Sequence, residues 1–123
     1  MQKNDSSAVI KLAQHLFDRK AQQIELLKVS HLTILTDYLL IASGTNSLHV
    51  KALAEYIDSK AMELGFEIRR QEGYNEGRWV VLDYNYFVIH LFHPEDREYY
   101  RLDKLWEDGS NNVELYFLGE DKA

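Results

Sequence analysis

The sequence contains no cysteine and only one proline among its 123 residues. Without cysteine there is no disulfide framework, no thiolate metal site and no thiol nucleophile. No apolar run reaches membrane-spanning length, and no apolar signal core lies behind the first residues. We therefore expect a cytoplasmic protein that does not contact a membrane.

The residues that are present have the proportions of an ordinary globular protein, with 46% apolar and 28% charged residues. We expect one domain over residues 1–123, with its core at about 6–108 and a C-terminal tail at 109–123. Of the formal net charge of −6, most lies in residues 94–123, which carry nine acidic and four basic residues. This charge opposes binding to nucleic acids, including DNA, and favours a basic partner. Taken alone, however, the acids are explained by solvation of the last helix and tail.

The clearest local pattern is a pair of short apolar runs, Trp79–Leu82 and Phe87–Phe92, separated by Asp83–Tyr86. The intervening Asp and Asn favour a turn, so the pattern predicts a β-hairpin. Both runs are apolar at nearly every position. The sheet is therefore expected to be covered on both faces, or to offer one face to a partner.

The single proline, Pro94, comes after the second run and predicts the start of a helix that continues to about residue 107. Its apolar side is expected to contain Tyr99, Leu102, Leu105 and Trp106.

The remaining periodic segments predict two more helices and three more strands. They are a helix over 6–18, a strand over 24–29 with Leu27 and Val29 on one side, a strand over 38–42, a helix from about 47 to Gly65, and a strand over 66–70. The second helix predicts a right-handed crossover that makes its two flanking strands parallel. Residues 113–118 could form an edge strand or dock elsewhere, and residues 119–123 should be frayed. The predicted fold class is α/β (α+β-like), with a mixed sheet of about five strands.

None of the usual catalytic patterns is complete. Ser43–Ser47 lies between a predicted strand and helix, where backbone N–H groups could hold a phosphate. The loop lacks a glycine-rich fingerprint and a lysine after it, so a capped turn is the preferred interpretation. The nearest approach to a paired-carboxylate metal site is Asp83-Tyr84-Asn85, which has an amide in place of the second acid.

The five histidines do not have the spacing of a zinc site. They are His15, His31, His49, His90 and His93. His90 lies within a predicted strand and is interpreted as a half-buried histidine that is hydrogen-bonded to a neighbour. The sequence therefore predicts a protein that is not an enzyme and has no cofactor and no metal. Trp79 could be anchored in the core or presented to a partner, and the sequence leaves both possibilities open.

Four segments occur together in this order: TDYLLIASGTNSLHVKALAEYI (Thr36–Ile57), Trp79–Asp83, Val88–His90 and Arg97–Trp106. Together they resemble the Iojap-type ribosomal silencing factors, and the resemblance covers roughly residues 6 to 108. The resemblance implies a mixed α/β sheet like that of nucleotidyltransferases, without the catalytic carboxylates. It also implies binding to the large ribosomal subunit through its fourteenth protein, at an intersubunit bridge. Such binding would block joining of the small subunit and repress translation, and the free protein would be a homodimer.

The resemblance implies a partner-binding surface on the first hairpin strand and the adjoining turn. Its residues are Trp79, Val80, Val81, Leu82, Asp83 and Tyr84. Where the family usually has Gly-Asp in the adjacent turn, this chain has Asn85-Tyr86, and Asn can adopt the backbone conformation of Gly. Two alternatives remain. One is a nucleotidyltransferase-like enzyme that binds nucleotide at Ser43–Ser47, and the other is ribosomal RNA binding by Arg69, Arg70 and Arg78.

Overall fold

The computed structural model describes residues 6–118. Its helices are α1 (Ser7–Asp18), α2 (Ser47–Glu63), α3 (Pro94–Tyr100) and α4 (Leu102–Trp106). Its strands are β1 (Gln22–Lys28), β2 (Tyr38–Ser43), β3 (Arg70–Glu72), β4 (Trp79–Asp83) and β5 (Phe87–Phe92). No helix within residues 6–118 is both long enough and apolar enough to cross a membrane.

The five strands form one mixed sheet in the order β1-β2-β5-β4-β3, which confirms the predicted fold class. β2 and β5 are parallel, and the other neighbouring strands are antiparallel. The hairpin of β4 and β5 is present as predicted, with Asn85 at a φ of 74° in its turn. β2 and β5 are the most apolar strands, and they lie side by side inside the sheet because both of their faces must be removed from water.

The prediction that strands 38–42 and 66–70 pair with each other is wrong, because β5 and β4 lie between β2 and β3, although β2 and β3 do run in the same direction. The strand that comes after α2 begins only at Arg70, and it pairs antiparallel with β4 at the sheet edge. Phe66 and Ile68 instead pack their side chains against the core, and the Phe66 ring contacts Phe87 with centroids 4.9 Å apart. Side-chain packing holds residues 66–69 together with backbone hydrogen bonds from Phe66 N–H to the Ala61 carbonyl and from Arg69 N–H to the Asp83 carbonyl.

Helices α1 and α2 cover one face of the sheet, which we call the helix-covered face. α1 buries an apolar stripe, and α2 starts where the Asn46 side chain accepts a hydrogen bond from the His49 amide at 2.9 Å. Gly65 ends α2 as predicted, at a φ of 93° that L side chains rarely adopt. The strand residues on this face that are completely buried are Leu26, Leu40, Ala42, Val80, Leu82, Phe87, Ile89 and Leu91.

The opposite face of the sheet, which we call the open face, is covered only in part by α3 and α4. The prediction of one continuous helix over 94–107 is wrong, because Arg101 has a φ of 51° and separates two short helices. Only Leu102 and Trp106 of the predicted apolar stripe pack against the sheet, whereas Tyr99 and Leu105 are exposed.

Residues 111–118 dock on the domain and meet β1 through an isolated β-bridge between Asn112 and Leu27, without forming a further strand of the sheet. The buried Asn111 side chain donates hydrogen bonds to the carbonyls of Lys28 and Trp106, each at 3.0 Å. Leu115 and Phe117 then enter the core beneath α1. The predicted fraying of residues 119–123 lies outside the described residues.

Candidate functional site

The open face contains a groove of about 300 Å³ between the β1–β2 connection and α4. Its floor consists of sheet residues, principally Leu39, Val81 and Val88, and one wall is formed by Leu102 and Trp106. The opposite wall comes from the connection and includes Thr33, Leu35 and Thr36. The groove thus lies where the short helices leave part of an apolar sheet face uncovered.

Exposed apolar side chains occur in the β1–β2 connection, α3 and α4, the segments next to the groove. Ile34 and Leu35 extend from the β1–β2 connection, and they are 101% and 79% exposed. Tyr100 and Leu105 are exposed on α3 and α4. A concentration of exposed apolar side chains around a groove is typical of a protein interaction site.

Trp79 lies on the open face beside the groove, where its indole is held in one orientation. Its ring centroid is 4.9 Å from that of Phe92 and 4.8 Å from that of Tyr100. Its Nε1–H donates a hydrogen bond to Nδ1 of His90 at 3.0 Å. Gly73 leaves no room for a side chain next to the Trp79 carbonyl, so the preceding loop can pack closely on this strand. The indole is partly exposed, packed on its neighbours but not enclosed in the core.

His90 is a partly buried histidine bonded to a neighbour, as the sequence predicted. Burial lowers its pKa to about 4, although Asp83 acts in the opposite direction. The side chain is therefore neutral near pH 7. Because the indole is only a donor, Nδ1 of His90 must be the acceptor and its proton lies on Nε2.

The structure brings together only half of the predicted surface residues. Trp79, Val81 and Asp83 lie on the open face, since alternate residues of a strand point to opposite sides. The expectation that Val80 and Leu82 belong to the partner surface is wrong for their side chains, which are completely buried under α2. The same correction applies to the expectation for Tyr84, which is buried and whose hydroxyl donates to Asp58 Oδ1 at 2.5 Å.

Arg97, a buried arginine that attaches α3 to the open face, was not predicted from the sequence. Its Nη1 donates to the Ser43 hydroxyl at 3.1 Å, and its guanidinium lies 3.9 Å from Glu25 and 3.8 Å from Asp103. Burial lowers the pKa of Arg97, and burial together with repulsion from Asp103 raises the pKa of Glu25. Burying these charged side chains is therefore energetically costly. Their contacts hold α3 and α4 in one position on the sheet. Nothing in the local sequence distinguishes Arg97 from a solvated helix residue.

The Ser43–Ser47 loop is held by hydrogen bonds and packing contacts within the protein. The Thr45 amide donates to Nδ1 of His49 at 2.9 Å, and the other ring nitrogen of His49 lies 3.0 Å from the Arg19 carbonyl. A Cβ added at Gly44 would lie 2.9 Å from the Val50 side chain, so this glycine serves close packing of the helix. The capped-turn interpretation is supported, and the loop offers no open cradle for a nucleotide phosphate.

The arginines proposed for RNA binding are mostly engaged with acids. Arg78 lies 3.1 Å from Glu95 and 2.5 Å from Asp96. Those two hydrogen bonds raise the pKa of Arg78 further. Arg70 lies 3.5 Å from Glu72 on its own strand. Paired in this way, the arginines do not form a basic patch suited to phosphates. Within residues 6–118, no three His, Asp or Glu side chains cluster in a way that could hold a metal ion.

Comparison with known proteins identifies the family of this chain. A family described as "Ribosomal silencing factor during starvation" matches residues 2–123. The chain belongs to this family. It is similar to the ribosomal silencing factor RsfS of Halalkalibacterium halodurans, with 41% identity over 98 residues that cover 80% of this chain and 83% of that protein.

Two further relatives are a bacterial protein of known crystal structure and a mouse protein with a mitochondrial name. The crystal structure of protein CV0518 from Chromobacterium violaceum matches the fold with a TM-score of 0.78 and 34% identity. That match covers 90% of this chain and 95% of the other. A mouse protein named "Mitochondrial assembly of ribosomal large subunit protein 1" is 38% identical over 74 residues, which cover 58% of this chain and 32% of that protein.

Proposed function

We propose that this family member binds the large ribosomal subunit through its open face and thereby prevents the small subunit from joining. The observation that carries the proposal is the partly exposed Trp79, fixed by Phe92, Tyr100 and His90 beside an apolar groove. The names of the relatives point to ribosome silencing and, for the mouse protein, to the large subunit. The resemblance makes the fourteenth protein of the large subunit the proposed partner.

The physical mechanism needs no chemical step. A rigid aromatic anchor at the edge of a groove suits a protein interface, where tryptophan is often among the few residues that contribute most to binding. Because two rigid bodies cannot occupy one bridge site, binding there would exclude the other subunit. The protein would then repress translation by occupancy alone.

Purified ribosomal subunits provide the direct test. On a sucrose gradient, the protein should co-sediment with the large subunit and reduce the fraction of subunits that associate. Trp79→Ala should weaken binding to the large subunit by about 2 kcal/mol, because the anchor is lost. That corresponds to about a 30-fold rise in Kd.

Tyr116→Ala is a matched control, since Tyr116 is an exposed aromatic residue that contacts Gln14 of α1, on the helix-covered side. The control should bind like the wild type, and circular dichroism should show both variants folded. Unchanged large-subunit binding by a folded Trp79→Ala variant would remove Trp79 from the interface. Unchanged subunit association in the presence of the wild-type protein would refute the proposed function.

A further inference from the structure

We propose that the groove receives one aliphatic side chain from a basic segment of the partner protein, and that a backbone carbonyl of this segment accepts a hydrogen bond from Nε2 of His90. The inference rests on the proposed function and deepens it, because it specifies the chemistry that the open face recognises. The proposal makes His90 a specificity-determining residue in addition to a support for Trp79.

The size and lining of the groove define the apolar part of the occupant. Its volume of about 300 Å³ is at the lower limit of small-molecule pockets, which leaves room for one side chain and its backbone. Leu39, Val81 and Val88 form an apolar floor. An aliphatic side chain would remove this floor from water and would leave no polar group of its own unpaired.

The polar part of the occupant can be deduced from the orientation of His90. Nδ1 of His90 accepts from Trp79, which does not line the groove, so the Nε2 edge is the one that faces the groove. Nε2–H has no hydrogen-bond partner within residues 6–118. Thr36 also lines the groove, is only 7% exposed, and its hydroxyl oxygen has no partner in the same part of the chain. A carbonyl group of the occupant would accept from Nε2–H of His90 in place of water, and the buried Thr36 hydroxyl would be a second donor.

The charges around the groove define the rest of the segment. Residues 94–118, which include the helical wall, contain seven acidic and three basic residues. One of the three bases is Arg97, which is buried among acids and unavailable to a partner. At the groove itself the carboxylate of Asp83 is accompanied by the guanidinium of Arg70, so the excess of negative charge comes from the helical wall and not from the groove lining. A segment with lysine or arginine next to its aliphatic residue is therefore the complementary partner, since opposite potentials favour encounter and fix orientation.

Two variants of His90 separate the groove donor from the support of Trp79. His90→Gln places an amide N–H near the position of Nε2 and so retains the donor toward the groove. His90→Asn places a carbonyl oxygen near the position of Nδ1, which retains the acceptor for Trp79 but removes that donor. We expect His90→Asn to weaken binding to the large subunit about tenfold or more, and His90→Gln to stay within about threefold of the wild type. The opposite order would limit His90 to positioning Trp79 and would overturn its role in recognition.

A third variant, Val88→Phe, fills the groove and leaves His90 and Trp79 in place. It should also weaken binding about tenfold, because the aliphatic side chain can no longer enter. Leu48→Phe is the control, since Leu48 is exposed on α2 at the other side of the sheet. Normal binding by a folded Val88→Phe variant would refute the groove as a contact. A change in its oligomeric state with normal subunit binding would identify a second copy as the occupant and would likewise refute the proposal.

A measurement without ribosomes separates this inference from the proposed function. N-acetyl-leucine N-methylamide carries one aliphatic side chain and two carbonyl groups, and it serves as the NMR probe. At millimolar concentration it should shift the signals of the Trp79 indole N–H and the His90 ring, whereas N-acetyl-glycine N-methylamide should not. The shifts should disappear in Val88→Phe. Absence of shifts in the wild type would overturn the groove proposal, whereas shifts in a protein that fails to bind subunits would overturn only the proposed function.

Discussion

The two faces of the sheet use the same strands in different ways. On the helix-covered face, α1 and α2 seal the strands, and residues such as Leu40, Val80 and Ile89 are completely buried. On the open face, the two short helices leave a groove over parts of β2, β4 and β5. A fully covered face serves stability, whereas a partly covered apolar face is available to a partner. One β-strand can therefore contribute to the core and to a docking surface through alternate residues.

The largest expected effect tests how the open face is held together. Arg97→Met should lower the free energy of unfolding by about 3 kcal/mol, because it leaves the partly buried Asp103 without its counter-charge. Urea denaturation gives this value directly. The double variant Arg97→Met/Asp103→Leu should recover much of the loss, since removing both charges also removes the cost of burying them. If the double variant were less stable than Arg97→Met, the network would be a net source of stability.

A smaller effect compares the two faces at adjacent residues of β4. Val80→Ala should lower the free energy of unfolding by about 2–3 kcal/mol, because Val80 is completely buried under α2. Val81→Ala deletes the same atoms from the partly exposed groove floor and should cost less than about 1 kcal/mol. Binding should respond in the reverse order, with Val81→Ala weakening large-subunit binding more. Equal loss of stability from the two substitutions would contradict the distinction between the faces.

The smallest expected effect concerns the contribution of His90 to the free energy of unfolding. It is not seen at neutral pH and appears on acidification. Burial lowers the pKa of His90 from 6.5 to about 4, so the unfolded chain binds a proton in this range that the folded chain does not. Its contribution to stability is complete above pH 6.5 and is lost as the pH falls toward 4. Urea denaturation between about pH 7 and about pH 5 should therefore show a steeper loss for the wild type than for His90→Gln. Parallel pH profiles would show that His90 titrates normally in the folded protein.

Local patterns in the sequence were sufficient for much of the fold. Two apolar runs around an Asp/Asn turn predicted the hairpin, and Asn46 and Gly65 marked the limits of α2. Pairing between distant strands could not be predicted in this way, because it depends on which apolar strands compete for the centre of the sheet. The predicted parallel pair failed for this reason, and β5 became the neighbour of β2. The break at Arg101 was also missed, since it is favoured by packing of Leu102 and Trp106 on the sheet.

The candidate site was likewise predicted only in part from the sequence. The amino-acid pattern was enough to identify the family to which the chain belongs and a half-buried, hydrogen-bonded histidine within an apolar strand, and it made the segment Trp79–Asp83 a candidate surface. The folded chain was needed to show that Trp79, Val81 and Asp83 face outward while Val80 and Leu82 face α2. The physical reason is that a run apolar at every position has no alternation to show which face is covered. That choice is made by the helices, which pack against one side of the sheet and leave part of the other side open.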